Sequence, residues 1–106
     1  MDSTGLDCSL KPLTGSQRKF LRGLANPHKA LVQVGEGGLS ESLIGAVDKA
    51  LQDHELIKVR LVRPADKKSA AQEIAERSQS HLCGLVGHTV ILYRPHAQDP
   101  KIEVPS

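Results

Sequence analysis

Apolar and polar positions change period several times along the chain, and each change predicts an element. After Thr14, the residues Phe20, Leu21 and Leu24 recur at helical spacing. Thr14-x-x-Gln17 has the form of a capping box, in which each side chain satisfies the other's orphan amide. Asn26-Pro27 ends this helix, because the residue before proline is pushed out of the α region. Arg18, Lys19 and Arg22 lie toward its polar side. Residues 29–34 (KALVQV) are short, apolar and β-branched at the end, which predicts a strand. Gly35-Glu36-Gly37-Gly38 breaks it. Leu39, Leu43, Ile44, Val47 and Leu51 then form one stripe of a second helix. Ser40 and Glu41 fall in its first turn, where a capping oxygen and a negative charge are favourable.

Residues 56–62 (LIKVRLV) alternate: Ile57, Val59 and Leu61 point one way, Lys58 and Arg60 the other. Pro64 closes this strand. Residues 66–78 read as a helix capped by Asp66, with Ala70, Ala71, Ile74 and Ala75 inward. Residues 81–86 and 89–94 are two more strands, joined by Gly87-His88, a two-residue turn of the Gly-X type. The order α-β-α-β-α-β-β predicts an α/β fold. Strand-helix-strand units give parallel neighbours with right-handed crossovers, and the last hairpin adds an antiparallel pair. The expectation is a mixed four-stranded sheet packed with helices over residues 13–96, between an N-terminal arm (1–12) and a polar tail (97–106).

Length and composition keep this reading simple. A chain of 106 residues is one domain's worth, able to bury a core of modest stability without metals or disulfides. With 39% hydrophobic and 25% charged residues, the composition is that of an ordinary globular domain. Cys8 lies in a polar stretch and Cys83 in a predicted strand. No CxxC or zinc spacing is present, so Cys83 reads as a buried free thiol, in keeping with a reducing cytoplasm. The first 13 residues have no apolar run of the signal-peptide kind, and no stretch approaches the ~20 apolar residues of a membrane span.

Charge changes the picture more than composition does. The net charge is only +2. Yet from Cys8 to Gly35 there are five cations (Lys11, Arg18, Lys19, Arg22, Lys29) and no acid. A local cationic zone supplies affinity for phosphate even when total charge is small. Aromatics are scarce: one Phe, one Tyr, no Trp. The base-stacking platform of common single-strand binders cannot be built, so contact with nucleic acid must rest on backbone amides and cations.

The motif that carries chemistry is Gly35-Glu36-Gly37-Gly38, a G-x-x-G between strand and helix. Glycine removes the Cβ that keeps a phosphodiester away, and a following helix N-terminus presents unpaired N–H groups and a positive dipole end. KH domains clamp a nucleic-acid backbone with such a loop. No Lys-Ser or Lys-Thr follows, which excludes a P-loop, and Ser40 stands where a dinucleotide fingerprint needs its last glycine. His28, His54, His81, His88 and His96 are scattered, without HExxH, and no G-x-S-x-G elbow occurs. The expectation is a non-enzymatic protein with no metal, cofactor or small-molecule substrate.

LTGSQRKFLRGLA (13–25), VGEGGL (34–39), HELIKV (54–59) and VGHTVILYRP (86–95), in this order around a G-x-x-G loop, resemble the CRM domain, named for chloroplast RNA splicing and ribosome maturation. The stand-alone bacterial YhbY type is the nearest form. The resemblance covers roughly residues 12 to 96. It implies a fold like the C-terminal domain of bacterial translation initiation factor 3, RNA binding, and association with precursors of the large ribosomal subunit. In plants, related domains serve in group II intron splicing. Carried over by position, it implies RNA contact at Arg18, Lys19, Arg22, Lys29, the loop Gly35, Glu36, Gly37 and Gly38, Lys58 of HELIKV and Arg94 of YRP. Glu36 departs from the pattern, since related loops often carry a basic residue inside G-x-x-G. Lys58 and Arg60 also fit the solvated face of a strand, and Arg94 fits a pin for the tail.

Two function classes follow. The first is a monomeric, cytoplasmic ribosome-assembly factor that binds large-subunit rRNA in the pre-ribosomal particle by electrostatic docking and shape. The second is an adaptor that sits on ribosomal or other proteins through an apolar patch and touches RNA little.

Overall fold

The computed structural model describes residues 13–35, 39–62, 66–96 and Ile102. Its elements are α1 (Gly15–Ala25), β1 (Val32–Val34), α2 (Glu41–His54), β2 (Leu56–Leu61), α3 (Lys67–Arg77), β3 (His81–Val86) and β4 (Thr89–Tyr93), in the expected order. Each helix starts where a polar side chain can accept an orphan amide. The Thr14 hydroxyl accepts from Gln17 N–H at 3.1 Å, and Gln17 Oε1 accepts from Thr14 N–H at 2.9 Å, a complete capping box. Ser40 Oγ accepts from Leu43 N–H at 3.1 Å, and Asp66 Oδ1 accepts from Ser69 N–H at 3.2 Å. The last helix stops by a left-handed residue: Gln79 has φ 54°, Ser80 N–H donates to the Ala75 carbonyl and Gln79 N–H to that of Glu76, the bonding of a Schellman motif.

The sheet order is β1-β2-β4-β3. β1 runs parallel to β2, while β4 is antiparallel to both β2 and β3. The hairpin therefore folds back so that β4 fills the slot between β2 and β3. Gly87 takes φ 61° at the first turn position, as a type II′ turn demands. β1 is shorter than its apolar run: Lys29 and Ala30 make no ladder, and only Leu31 N–H reaches the Lys58 carbonyl before Val32.

Strand periodicity splits the core across the two faces. One face, with Ile57, Val59, Leu61, Val90 and Leu92, packs against Val47 and Leu51 of α2 and Ala71, Ile74 and Ala75 of α3. The other, with Leu56, Cys83, Ile91 and Tyr93, packs under Leu21 and Ala25 of α1. A fully buried aliphatic side chain contributes about 1.5–3 kcal/mol, so the larger α2/α3 side carries most of the stability. β3 keeps both faces filled through a bulge: Leu82 pairs with Leu92 but Gly84 pairs with Ile91, leaving Cys83 as the extra residue. The bulge resets the phase, so that Leu82 and Leu85 both pack on the α2/α3 side.

The α1 stripe differs from the one expected. Leu21 is fully buried, but Phe20 and Leu24 are 37% and 39% exposed. The residues turned to the sheet are Leu21, Arg22 and Ala25, so Arg22 is not on the solvent side. A long cation can do this because its aliphatic stem buries while its head finds oxygen. Cys83 is the expected buried free thiol. Burial pushes it up to about 12, and the nearby cations Arg22 and Arg18 offset only part of that rise.

Candidate nucleic-acid interface

Helix α1 is too short to cover its sheet face. It closes the Leu56, Cys83 and Tyr93 end and leaves the other end open. The result is a groove of about 640 Å³ lined by Lys19, Arg22, Gly23 and Asn26 of α1 and its cap, His28 and Ala30 before β1, Lys58 and Arg60 of β2, and Val86, Thr89 and Ile91 of the hairpin. Among the described lining residues, Lys19, Arg22, Lys58 and Arg60 supply four positive charges and none is an acid.

This polarity extends beyond the groove. All seven acids among the described residues (Glu41, Asp48, Asp53, Glu55, Asp66, Glu73, Glu76) lie on α2, α3 or their caps. Arg18, Lys19, Arg22, Lys29, Lys58 and Arg60 lie on α1, the segment after it, and the β2 face turned to α1. The α2/α3 side is mixed, since Lys49, Lys67, Lys68 and Arg77 stand among its acids, whereas the exposed charges described on the α1 side are all basic. Solvent and salt screen the surface acids on the far side over about 8–10 Å, so they weaken the field over the groove little. His81, on the α1 face, adds no charge near neutrality, because burial lowers its titration below the usual histidine range.

Two of the cations are fixed by backbone oxygens. Arg22 Nη1 donates to the Cys83 carbonyl at 2.8 Å, which the β3 bulge turns toward α1. Lys58 Nζ donates to the Asn26 carbonyl at 2.9 Å, at the C-cap of α1. Both bonds tie the helix to the sheet and hold a positive head at the groove wall. Arg60 is exposed and Lys19 lies on an exposed part of α1.

Among the sequence-selected residues, the fold brings Lys19, Arg22 and Lys58 together in the groove. Arg18 Nη1 is turned to the Leu13 carbonyl at 2.8 Å, and Lys29 is exposed on the segment entering β1, outside the lining. Gly35 is exposed at the end of β1; Glu36, Gly37 and Gly38, the rest of the G-x-x-G motif, lie outside the described residues. Arg94 has a structural placement. Its Nη1 donates to Asp48 Oδ1 and to the Ser78 carbonyl, both at 2.7 Å, and Nη2 to the Asp48 carbonyl at 3.1 Å. It clamps α2 to the end of α3 and does not pin the tail. That task falls to Glu55, whose fully buried carboxylate accepts from the amides of His96 at 2.7 Å and Ile102 at 3.0 Å.

Arg60, Asn26, His28, Val86 and Thr89 join the site only in three dimensions. The signal for Arg60 is in the chain, since period-2 alternation puts it beside Lys58. The others meet through sheet order, which local pattern does not encode. Among the described residues, no group of His, Cys, Asp and Glu could hold a metal ion, and no helix is long and apolar enough to cross a membrane.

The CRS1/YhbY (CRM) domain model matches residues 13–94. YqeI of Bacillus subtilis, named a probable RNA-binding protein, is 36% identical over 95 residues, covering 88% of this chain and 99% of YqeI. An RNA-binding protein of Haemophilus influenzae is 34% identical over 96 residues, covering 88% and 95%. The solution structure of SAV1595 from Staphylococcus aureus, proposed to bind RNA, superposes with a TM-score of 0.78 at 35% identity, covering 89% of this chain and all of SAV1595.

Proposed function

This chain belongs to the CRS1/YhbY (CRM) domain family, and from that premise we propose that it binds structured RNA through the groove beside α1. The observation that carries the proposal is the groove itself: its described lining has four cations and no acid, on the side of the sheet away from every described acidic residue except the buried Glu55. Phosphate contacts fix register and orientation without reading sequence. Four cations held on α1 and β2 suit that task. The sparse aromatics leave recognition to shape and charge, as expected for a binder of folded RNA.

Within that reading, the target is rRNA of the large-subunit precursor, and the protein acts during assembly of that subunit. In-cell UV crosslinking of a tagged copy, followed by sequencing of the attached RNA, tests this. Reads concentrated at one site in large-subunit rRNA are expected. Reads spread in proportion to RNA abundance overturn the assignment of target.

One observation favours the adaptor reading. Phe20 and Leu24 stand one helical turn apart on α1, each more than a third exposed. An adaptor would bind its protein partner with little response to salt, whereas RNA binding weakens steeply as salt rises.

A further inference from the structure

The groove has a floor and a size as well as a charge, and these say what part of an RNA enters it. Ile91, which is buried, forms its floor, and the exposed Ala30 and Val86 with the bare backbone of Gly23 add to its apolar lining. The rim carries the four cations. Between them stand the neutral hydrogen-bonding groups of Asn26 and Thr89, with His28 alongside. About 640 Å³ falls within the ~300–1,000 Å³ of sites that enclose one small ligand. A duplex is too wide to enter such a space and could meet only its rim. A single nucleotide swung out of a helix is not: it presents a flat apolar base with polar edges and an anionic backbone on either side. That is the complement of an aliphatic floor, neutral donors and acceptors, and a cationic rim.

Arg22 sharpens the match. Its Nη1 is bound to the Cys83 carbonyl and its stem runs over Gly84, so the guanidinium plane is held at the wall. Splayed bases stack on arginine planes as well as on aromatic rings. A fixed arginine plane substitutes for the aromatic platform the chain lacks. Resting on the RNA-binding reading above, we infer that the groove accommodates one unpaired nucleotide extruded from a helix, its base on the floor beside Arg22 and its flanking phosphates against Lys19, Lys58 and Arg60.

The test uses two hairpin RNAs of equal length and charge, one fully paired and one with a single bulged nucleotide, and measures Kd by fluorescence anisotropy at one salt concentration. A second protein fills the groove without changing charge: Gly23→Leu together with Ala30→Leu. Both positions are exposed, and a Cβ on Gly23 meets no atom within 4 Å. The full chain is expected to favour the bulged hairpin by at least about tenfold. The filled protein should lose that preference and bind the bulged and the paired hairpin with equal affinity. Equal affinity of the full chain for both hairpins overturns the nucleotide site and leaves RNA binding standing. A preference that survives filling places the nucleotide elsewhere and overturns the inference. Failure to bind either hairpin overturns this inference and the RNA-binding reading together.

Discussion

The stem of Arg22 lies across Gly84, so closely that a Cβ built on the glycine would stand 2.5 Å from Arg22 Cδ and 3.0 Å from Cγ. Bulge, glycine and arginine form one device. The bulge at Cys83 turns a carbonyl toward α1, Gly84 leaves the space beside it empty, and Arg22 occupies that space to reach the carbonyl at 2.8 Å. Gly84→Ala is therefore expected to destabilise the fold by about 1–3 kcal/mol, the usual cost of overpacking. Combined with Arg22→Ala, the effect should be less than the sum, because the clash has lost one partner. Urea denaturation of the three variants measures the coupling.

Arg60 and Arg94 should separate binding from stability. Arg60 is exposed on the groove, so Arg60→Ala should change stability by no more than about 0.5 kcal/mol. It should weaken RNA binding and reduce the slope of log K against log salt by about one. Arg94→Ala should do the reverse. It removes bonds to Asp48 and the Ser78 carbonyl, at a cost of about 1–2 kcal/mol, the low end for charged bonds, because the Asp48 side chain is 44% exposed and the pair is screened. Its salt slope should match that of the unmodified chain. Thermal melts and anisotropy titrations across salt check both.

Glu55 joins α2, β2 and the segment after β4. It sits at φ 64°, its backbone carbonyl accepts from Arg94 N–H at 2.8 Å, and its carboxylate holds the amides of His96 and Ile102. Glu55→Ala removes charged acceptors from two amides, and a bond to a charged group contributes about 1.5–3 kcal/mol. Destabilisation of that order is expected. Hydrogen exchange should quicken first at the amides of His96 and Ile102 and only later in β2.

Acid should act on α3 through Asp66. Its carboxylate accepts from Ser69 N–H and from Ser69 Oγ, and these bonds hold it below its ordinary value of 3.8. A carboxylate lowered by folding stabilises the native state above its unfolded value, and the contribution fades as pH falls through the folded value. Asp66→Asn keeps a capping oxygen but cannot titrate. The melting temperature of Asp66→Asn should lie below that of the unmodified chain at pH 7, and the gap should close steadily below about pH 4. A gap that stays constant down to pH 2 would show that the charge plays no part.

Much of the fold is legible in the chain because it is local. The Thr14–Gln17 box, the alternation from Ile57 to Leu61 and the Gly87 turn each depend on residues a few positions apart, and all take the form their pattern predicts. The slot taken by β4 between β2 and β3 is not local and leaves no mark on periodicity. Arg22 misleads for a different reason: its class is polar, while its stem is an aliphatic rod that packs. Phe20 and Leu24 mislead in the opposite sense, since apolar spacing names a face without saying that anything covers it. Arg94 shares the charge of Lys58 but not its place, and only the nearness of Asp48 and Ser78 separates a clamp from a contact surface.

The central claim is that RNA lies in the groove beside α1, and photo-crosslinking of a bound RNA followed by mass spectrometry of the attached peptides tests it most directly. The account predicts crosslinked residues in the stretch from Lys19 to Ala30 and at Lys58, Arg60 or Thr89. Crosslinks confined to α2 and α3, on the other side of the sheet, would contradict it.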